Sequence, residues 1–184
     1  MNCNDKKKEH EKRNCLFCHW INVLYDKKTV GEEKEEQELL SRKVDENKDW
    51  FAILDKSPKV LGHTLIISRY PFDDFTDTID EKKDGEYKTA LFEGAIKVSE
   101  KLKKLFPCGK DGKVYLVTMC DHYEIWEARF GKTTEHLHFH LIPRHPGMEI
   151  KAEKLISKEG EKDWTPEDLK KIKEFINDRR NNFT

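Results

Sequence analysis

The stretch EHLHFHLIPR, residues 135–144, sets His136, His138 and His140 at every second position, with Leu137, Phe139 and Leu141 between and after them. Successive side chains of a β-strand point to opposite faces. The spacing therefore predicts a strand with three imidazoles on one side and an apolar row buried on the other. A helix would spread the same histidines over more than half its circumference. Pro143 closes the run, as proline does at the end or edge of a strand. Imidazoles sharing one face can bind a metal, bind a phosphate or attack an electrophile.

The neighbouring elements define the sheet this strand joins. WFAIL (50–54) and TLIIS (64–68) are short apolar runs separated by the turn-like DKSPKVLGH, and they read as adjacent strands. Ser41 to Asp45 reads as a preceding edge strand, and KVYLVTMC (113–120) as a further strand. Between them, Gly85 to Phe106 has the spacing of a helix: Leu91, Ala95, Val98, Leu102 and Leu105 share one face, and Pro107 and Gly109 stop it. GEEKEEQE (31–38) predicts a charged surface helix. TPEDLKKIKEFIND predicts a last helix, with Thr165 as cap, Pro166 at its first position and acids in its first turn. Strands, one long helix, then strands is an α+β order, best met by an antiparallel sheet with the helix across it. The expected organisation is a disordered basic lead-in over 1–14, a domain over 15–148 with a charged insertion near 26–40, and a helical extension over 149–184.

Composition narrows the function classes. Of 184 residues, 39% are charged, but 35 Lys+Arg nearly balance 36 Asp+Glu, for a net charge of -1. Such a balance gives no basis for non-specific nucleic-acid or membrane binding. No apolar run reaches the length of a membrane span, and MNCNDKKKEHEKRN lacks the apolar centre of a signal peptide. The expected location is intracellular, in the cytoplasm. Five cysteines there stay reduced, so paired ones point to metal before disulfide.

One such pair is CLFC, Cys15 and Cys18. Two thiolates at this spacing can grip zinc. A redox dithiol is the rival, but no βαβ pattern surrounds the pair. Two further ligands are needed, and His63 and His136 each begin a strand. If those strand starts lie together, Cys15, Cys18, His63 and His136 close a structural Cys2His2 site with no open position for substrate. His19 is an alternative fourth ligand, though its adjacency to Cys18 strains the geometry. His10, His122 and His145 read as surface histidines.

Together these residues resemble the histidine triad family. Its mark is the alternating row, here His136-Leu-His138-Phe-His140-Leu-Ile-Pro143. LDKSPKVLGHTLIIS, Leu54 to Ser68, resembles a second family stretch, with its Asp, Ser-Pro pair and Gly-His before an apolar strand. CLFC resembles the zinc-binding members, and SRKV (41–44) the strand before the second block. The similarity covers roughly residues 15–145.

The resemblance implies an antiparallel sheet of about five strands with one long helix, often paired as a homodimer. It implies a nucleotide hydrolase or nucleotidyl transferase that cleaves at the α-phosphate through a nucleotidyl-histidine intermediate, on adenosine phosphoramidates or dinucleoside polyphosphates. Carried onto this chain, His138 is the nucleophile, His140 binds phosphate oxygens, and His136 is a zinc ligand or orients its neighbour. Asp55 falls where the family holds the ribose hydroxyls; a turn residue capping its own backbone is the plainer reading. Lys132 stands in place of a family glutamine and could meet a leaving pyrophosphate. Thr133 matches a hydroxyl that touches phosphate, and Ile125 stands near an expected asparagine. The partner expected is a purine nucleotide. The departures at Lys132 and Ile125 keep open a zinc-stapled nucleotide-binding or scaffolding protein without turnover. Processing of nucleic-acid ends, known among relatives, is disfavoured by the near-neutral charge.

Overall fold

β2 (Trp50–Leu54) and β3 (Thr64–Ser68) are buried at every position, so this part of the sheet is covered on both faces. The computed structural model describes residues 3–26, 33–56, 58–105, 112–118, 134–144 and 170. Within them β1 (Lys43–Glu46), β2, β3, β4 (Val114–Val117) and β5 (His138–Pro143) form one five-stranded sheet in the order β1-β2-β3-β5-β4. Every neighbouring pair is antiparallel. The α+β class and the antiparallel sheet are as the sequence predicts.

Asn47 builds the β1–β2 hairpin. Its side-chain oxygen accepts from the Asp49 and Trp50 amides at 2.8 and 2.9 Å, an Asx turn that asparagine favours. In the register of β3 with β5, Leu65 faces His140 and Ile67 faces His138, while Ile66 faces Phe139. Alternation then sorts the side chains. Trp50, Ala52, Leu54, Ile66, Leu137, Phe139 and Leu141 pack in one cluster with Leu91, Ala95, Val98 and Leu102 of the long helix α4 (Asp84–Leu105). Gly94 lets α4 lie directly on Trp50, since a Cβ there would collide with the indole.

The other face, which carries the histidines, has a cover that the sequence reading does not anticipate. Phe51, Ile53, Leu65 and Ile67 pack against Cys15, Phe17, Cys18, Trp20, Val23, Leu24 and Leu39. These come from α2 (Leu16–Ile21), a π-helical turn (Asn22–Asp26) and α3 (Glu33–Arg42). The charged run is helical, as expected, yet it also buries Leu39 and Arg42. A correction falls on the lead-in: Cys3–Lys12 forms helix α1. Its buried positions are Lys6 and His10, so no apolar periodicity marks it. The edge strand begins at Lys43, two residues later than expected, because Ser41 and Arg42 complete α3. Lys132, Thr133, Ile125 and the polar connection around them lie outside the described residues, as do His122, His145 and, Lys170 apart, the C-terminal helix. No helix among the described residues is long and apolar enough to cross a membrane.

Candidate active site and metal centre

The three histidines divide between two neighbouring clusters. His136 belongs to the first. It sits in the bend before β5 and is fully buried with His10, Cys15 and Cys18. One ligand atom from each of these four lies within 4.8 Å of all the others. His136 Nδ1 is 3.6 Å from Cys15 Sγ and 3.5 Å from Cys18 Sγ; His10 Nδ1 is 3.6 Å from Cys18 Sγ. A tetrahedral zinc with its usual Zn–S and Zn–N bonds sets an S···N edge of about 3.6 Å. The four donors therefore fit a closed zinc site, and a two-sulfur, two-nitrogen set is the soft tetrahedral type that zinc prefers.

Local structure prepares the donors. Cys15 caps α2, and the Cys18 amide points at Cys15 Sγ from 3.5 Å. His136 Nε2–H donates to the Ser68 carbonyl at 2.8 Å, which leaves Nδ1 unprotonated toward the thiols. The Cys18 thiol, donating to Cys15, holds Cys15 far below the ordinary thiol range despite burial, and the Cys15 thiolate in turn pushes Cys18 up. A cation here would let both ionise.

His63 is not a member, and this corrects the expected ligand set. In an antiparallel pair the start of one strand meets the end of its neighbour. Thr64 faces Leu141, so His63 lies level with the far end of β5. Six residues of strand, about 20 Å, separate that level from His136. His10 supplies the fourth corner instead, and it is wholly buried where a surface histidine was expected. His19 turns away to Glu35, 3.0 Å from its Nε2.

The second cluster is a series of hydrogen bonds whose direction can be assigned. The Lys59 amide donates to His63 Nδ1 at 3.2 Å, so His63 carries its proton on Nε2. That proton goes to His140 Nδ1 at 2.9 Å. His140 then carries its own proton on Nε2, 3.2 Å from His138 Nε2. His138 Nδ1–H donates to the His136 carbonyl at 2.6 Å. The series leaves a lone pair on His138 Nε2, held by one donor. Burial pushes His138 down to about 4, and burial likewise lowers His63 and takes His140 well below the ordinary range. All three imidazoles are neutral near pH 7, as the series requires.

Asp55 Oδ2 lies 3.4 Å from His63 Nδ1 and 4.0 Å from His140 Nδ1. Together with His63 and His140 it forms a second group able to approach a metal. The 2.9 Å between the imidazoles suits a hydrogen bond; two nitrogens on one zinc stand about 3.3 Å apart. This group is accordingly a relay and not a metal centre. Phe17, within CLFC, packs against the His138 ring at 4.7 Å between centroids, tilted by 50°. Its place between two metal-type cysteines is the only sequence signal that could have found it.

Residues 36–147 match the HIT domain, and the chain belongs to the HIT, or histidine triad, family. An uncharacterized HIT-like protein of Methanocaldococcus jannaschii is 31% identical over 136 residues, covering 72% of this chain and 81% of the relative. Among solved structures, a hypothetical histidine triad nucleotide-binding protein from Sulfolobus tokodaii aligns with a TM-score of 0.56 at 24% identity, over 90% of this chain and 93% of that one. A Hit-like protein from Bartonella henselae aligns with a TM-score of 0.53 at 25% identity, over 89% and 97%.

Proposed function

We propose that the chain is a nucleotide hydrolase or nucleotidyl transferase acting at the α-phosphate, with His138 as the nucleophile. The observation that carries this reading is the directed series Lys59–His63–His140–His138–His136, which fixes one tautomer and leaves His138 Nε2 able to attack. In the reaction His138 Nε2 forms the bond to phosphorus, and the bond from phosphorus to the leaving group breaks. The leaving group takes its proton from solvent. His140 Nε2–H turns from His138 to a phosphate oxygen and stabilises the charge that develops there. The His136 carbonyl supports the Nδ1–H of the imidazolium so formed. Water then displaces His138, releases the nucleoside monophosphate and restores the series.

Asp55, at the rim of this cluster, is suited to accept from the two ribose hydroxyls. Lys132 and Thr133 are proposed to meet the phosphates. Purine nucleotides with a phosphoramidate or a second nucleotide as leaving group are the proposed substrates, in the cytoplasm. Zinc is the proposed metal, held by His10, Cys15, Cys18 and His136; when bound it supplies a structural tie and no open coordination position. A homodimer is proposed as well, supported by the exposed Ile96 of α4 and Leu116 of the edge strand β4.

One observation favours the alternative of nucleotide binding without turnover: His138 is only 3% exposed, beneath Phe17. Release of AMP from an adenosine phosphoramidate and from a diadenosine polyphosphate, by wild type and by His138→Asn, separates the two. Turnover by the wild type alone supports the enzyme. AMP binding with no turnover by either protein supports the binding module.

A further inference from the structure

α1 lacks the apolar seam that normally docks a helix. It has ten residues, and isolated helices of that length are marginal in water. The residues it buries are Lys6 and His10, one turn apart. Its attachments are polar: Lys7 pairs with Asp26 at 2.9 Å, and the others gather about Asp73. Lys6 pairs with Asp73 and, at 3.2 Å, with Asp77. Arg13, just past the helix, donates to Asp73 Oδ1 at 2.6 Å and to Glu135 at 2.7 Å. Glu135 directly precedes the metal-type His136.

His10 itself is poorly satisfied by protein alone. Its Nε2 lies 2.9 Å from Asp73 Oδ1 but off the line of a good hydrogen bond. Its Nδ1 faces the thiols, 3.6 Å from Cys18 Sγ, and sulfur is a weak partner. Full burial of a ring with two such contacts costs free energy that a metal–nitrogen bond would offset.

We propose that α1 is a metal-dependent clasp. His10 joins the ion from outside the Cys-x-x-Cys turn, Asp73 orients His10 through its other ring nitrogen, and metal binding and docking of α1 are one equilibrium. A carboxylate behind a ligating histidine is the usual device for fixing its tautomer and raising its basicity. Here the same carboxylate also gathers Lys6 and Arg13, so the ion fastens α1 to the 72–77 bend and, through Arg13 and Glu135, to the approach to the triad strand. The inference rests on the metal reading above but adds to it a moving part and a positioning residue, Asp73.

The test uses the full chain, zinc-loaded and chelator-stripped, with zinc and cobalt(II) as the probes. Zinc loading slows amide exchange in residues 5–12 by tenfold or more, while the β2 and β3 amides change little. His10→Ala and Asp73→Asn each weaken zinc binding about tenfold or more. His10→Ala also shifts the cobalt(II) visible bands away from the two-sulfur, two-nitrogen tetrahedral pattern. Lys6→Gln, which loosens α1's attachment to Asp73 and Asp77 without touching His10, lowers zinc affinity too, by less than His10→Ala, because docking and binding are one equilibrium. Should the stripped protein unfold as a whole, the zinc affinities of the two variants decide. Stoichiometric zinc held equally well by wild type, His10→Ala and Asp73→Asn overturns the clasp and leaves the metal reading standing. A wild type that binds no zinc overturns the metal reading itself.

Discussion

His138 lies between two histidine clusters made from similar parts but different in kind. On one side His10 and His136 face two thiols at S···N distances of 3.5–3.6 Å, and all four residues are buried. On the other, His63 and His140 lie at 2.9 Å in a line of donors and acceptors, with His63 buried and His140 and Asp55 partly so. The first is spaced for a cation at its centre, the second for hydrogen bonds running along its length. Nitrogen-to-nitrogen distance and the presence of sulfur tell the two apart; histidine count does not. His136 joins them, because its ring faces the thiols while its carbonyl holds His138.

The sharpest separation comes from removing one residue at each centre. His138→Asn lowers turnover by about a thousandfold or more, since loss of a nucleophile removes the covalent route, and it leaves zinc content unchanged. Cys15→Ser does the converse to the metal. Zinc measured by elemental analysis falls below one equivalent, and the thermal midpoint drops with it. Comparable zinc retention in both variants would break the distinction between the clusters.

His63 gives a finer discrimination, because the sequence and the structure assign it to different clusters. His63→Ala lowers turnover about tenfold to a hundredfold by releasing His140 from its position, and it retains one equivalent of zinc. Loss of zinc in that variant would restore the ligand set read from sequence. That ligand set requires two strand starts of one antiparallel sheet to meet, and antiparallel pairing keeps them apart. The row of three histidines, both central strands, the long helix and the Cys-x-x-Cys turn were all legible, because period-2 and period-3.6 patterns mark buried faces directly. The second layer was not. WFAIL and TLIIS are continuous apolar runs without alternation, which is itself a sign of cover on both faces. Of the elements providing that cover, α3 is charged and buries only Leu39 and Arg42, while α2 and its π-helical turn are short, and their row of Phe17, Trp20, Val23 and Leu24 adjoins Cys-x-x-Cys without a helix-length pattern to mark it.

The two faces of the sheet differ in their tolerance as well. Gly94→Ala drives a methyl group into Trp50 beneath α4 and destabilises the fold by about 1–3 kcal/mol, measured by urea denaturation. It leaves zinc affinity unchanged, since it acts on the face away from the metal residues. The smallest effect is that of mild acid. His63 and His140 are held neutral by burial, with folded pKa values below that of an unfolded histidine, about 6.5. Between those values the unfolded chain binds more protons, so stability falls as pH drops below about 6.5. Replacing His63 with Gln flattens that slope in denaturation curves taken from pH 7 to 5; an unchanged slope would remove the relay's neutral imidazole from the account.

The central claim is that His138 carries the nucleotide during turnover. The most direct measurement mixes the protein with an adenosine phosphoramidate labelled at its α-phosphate, quenches within the first turnover and maps the label by peptide analysis. The expected result is an acid-labile, base-stable adenylyl group on the peptide containing His138, absent in His138→Asn. Turnover at wild-type rate by His138→Asn, or label carried on any other residue, would contradict it.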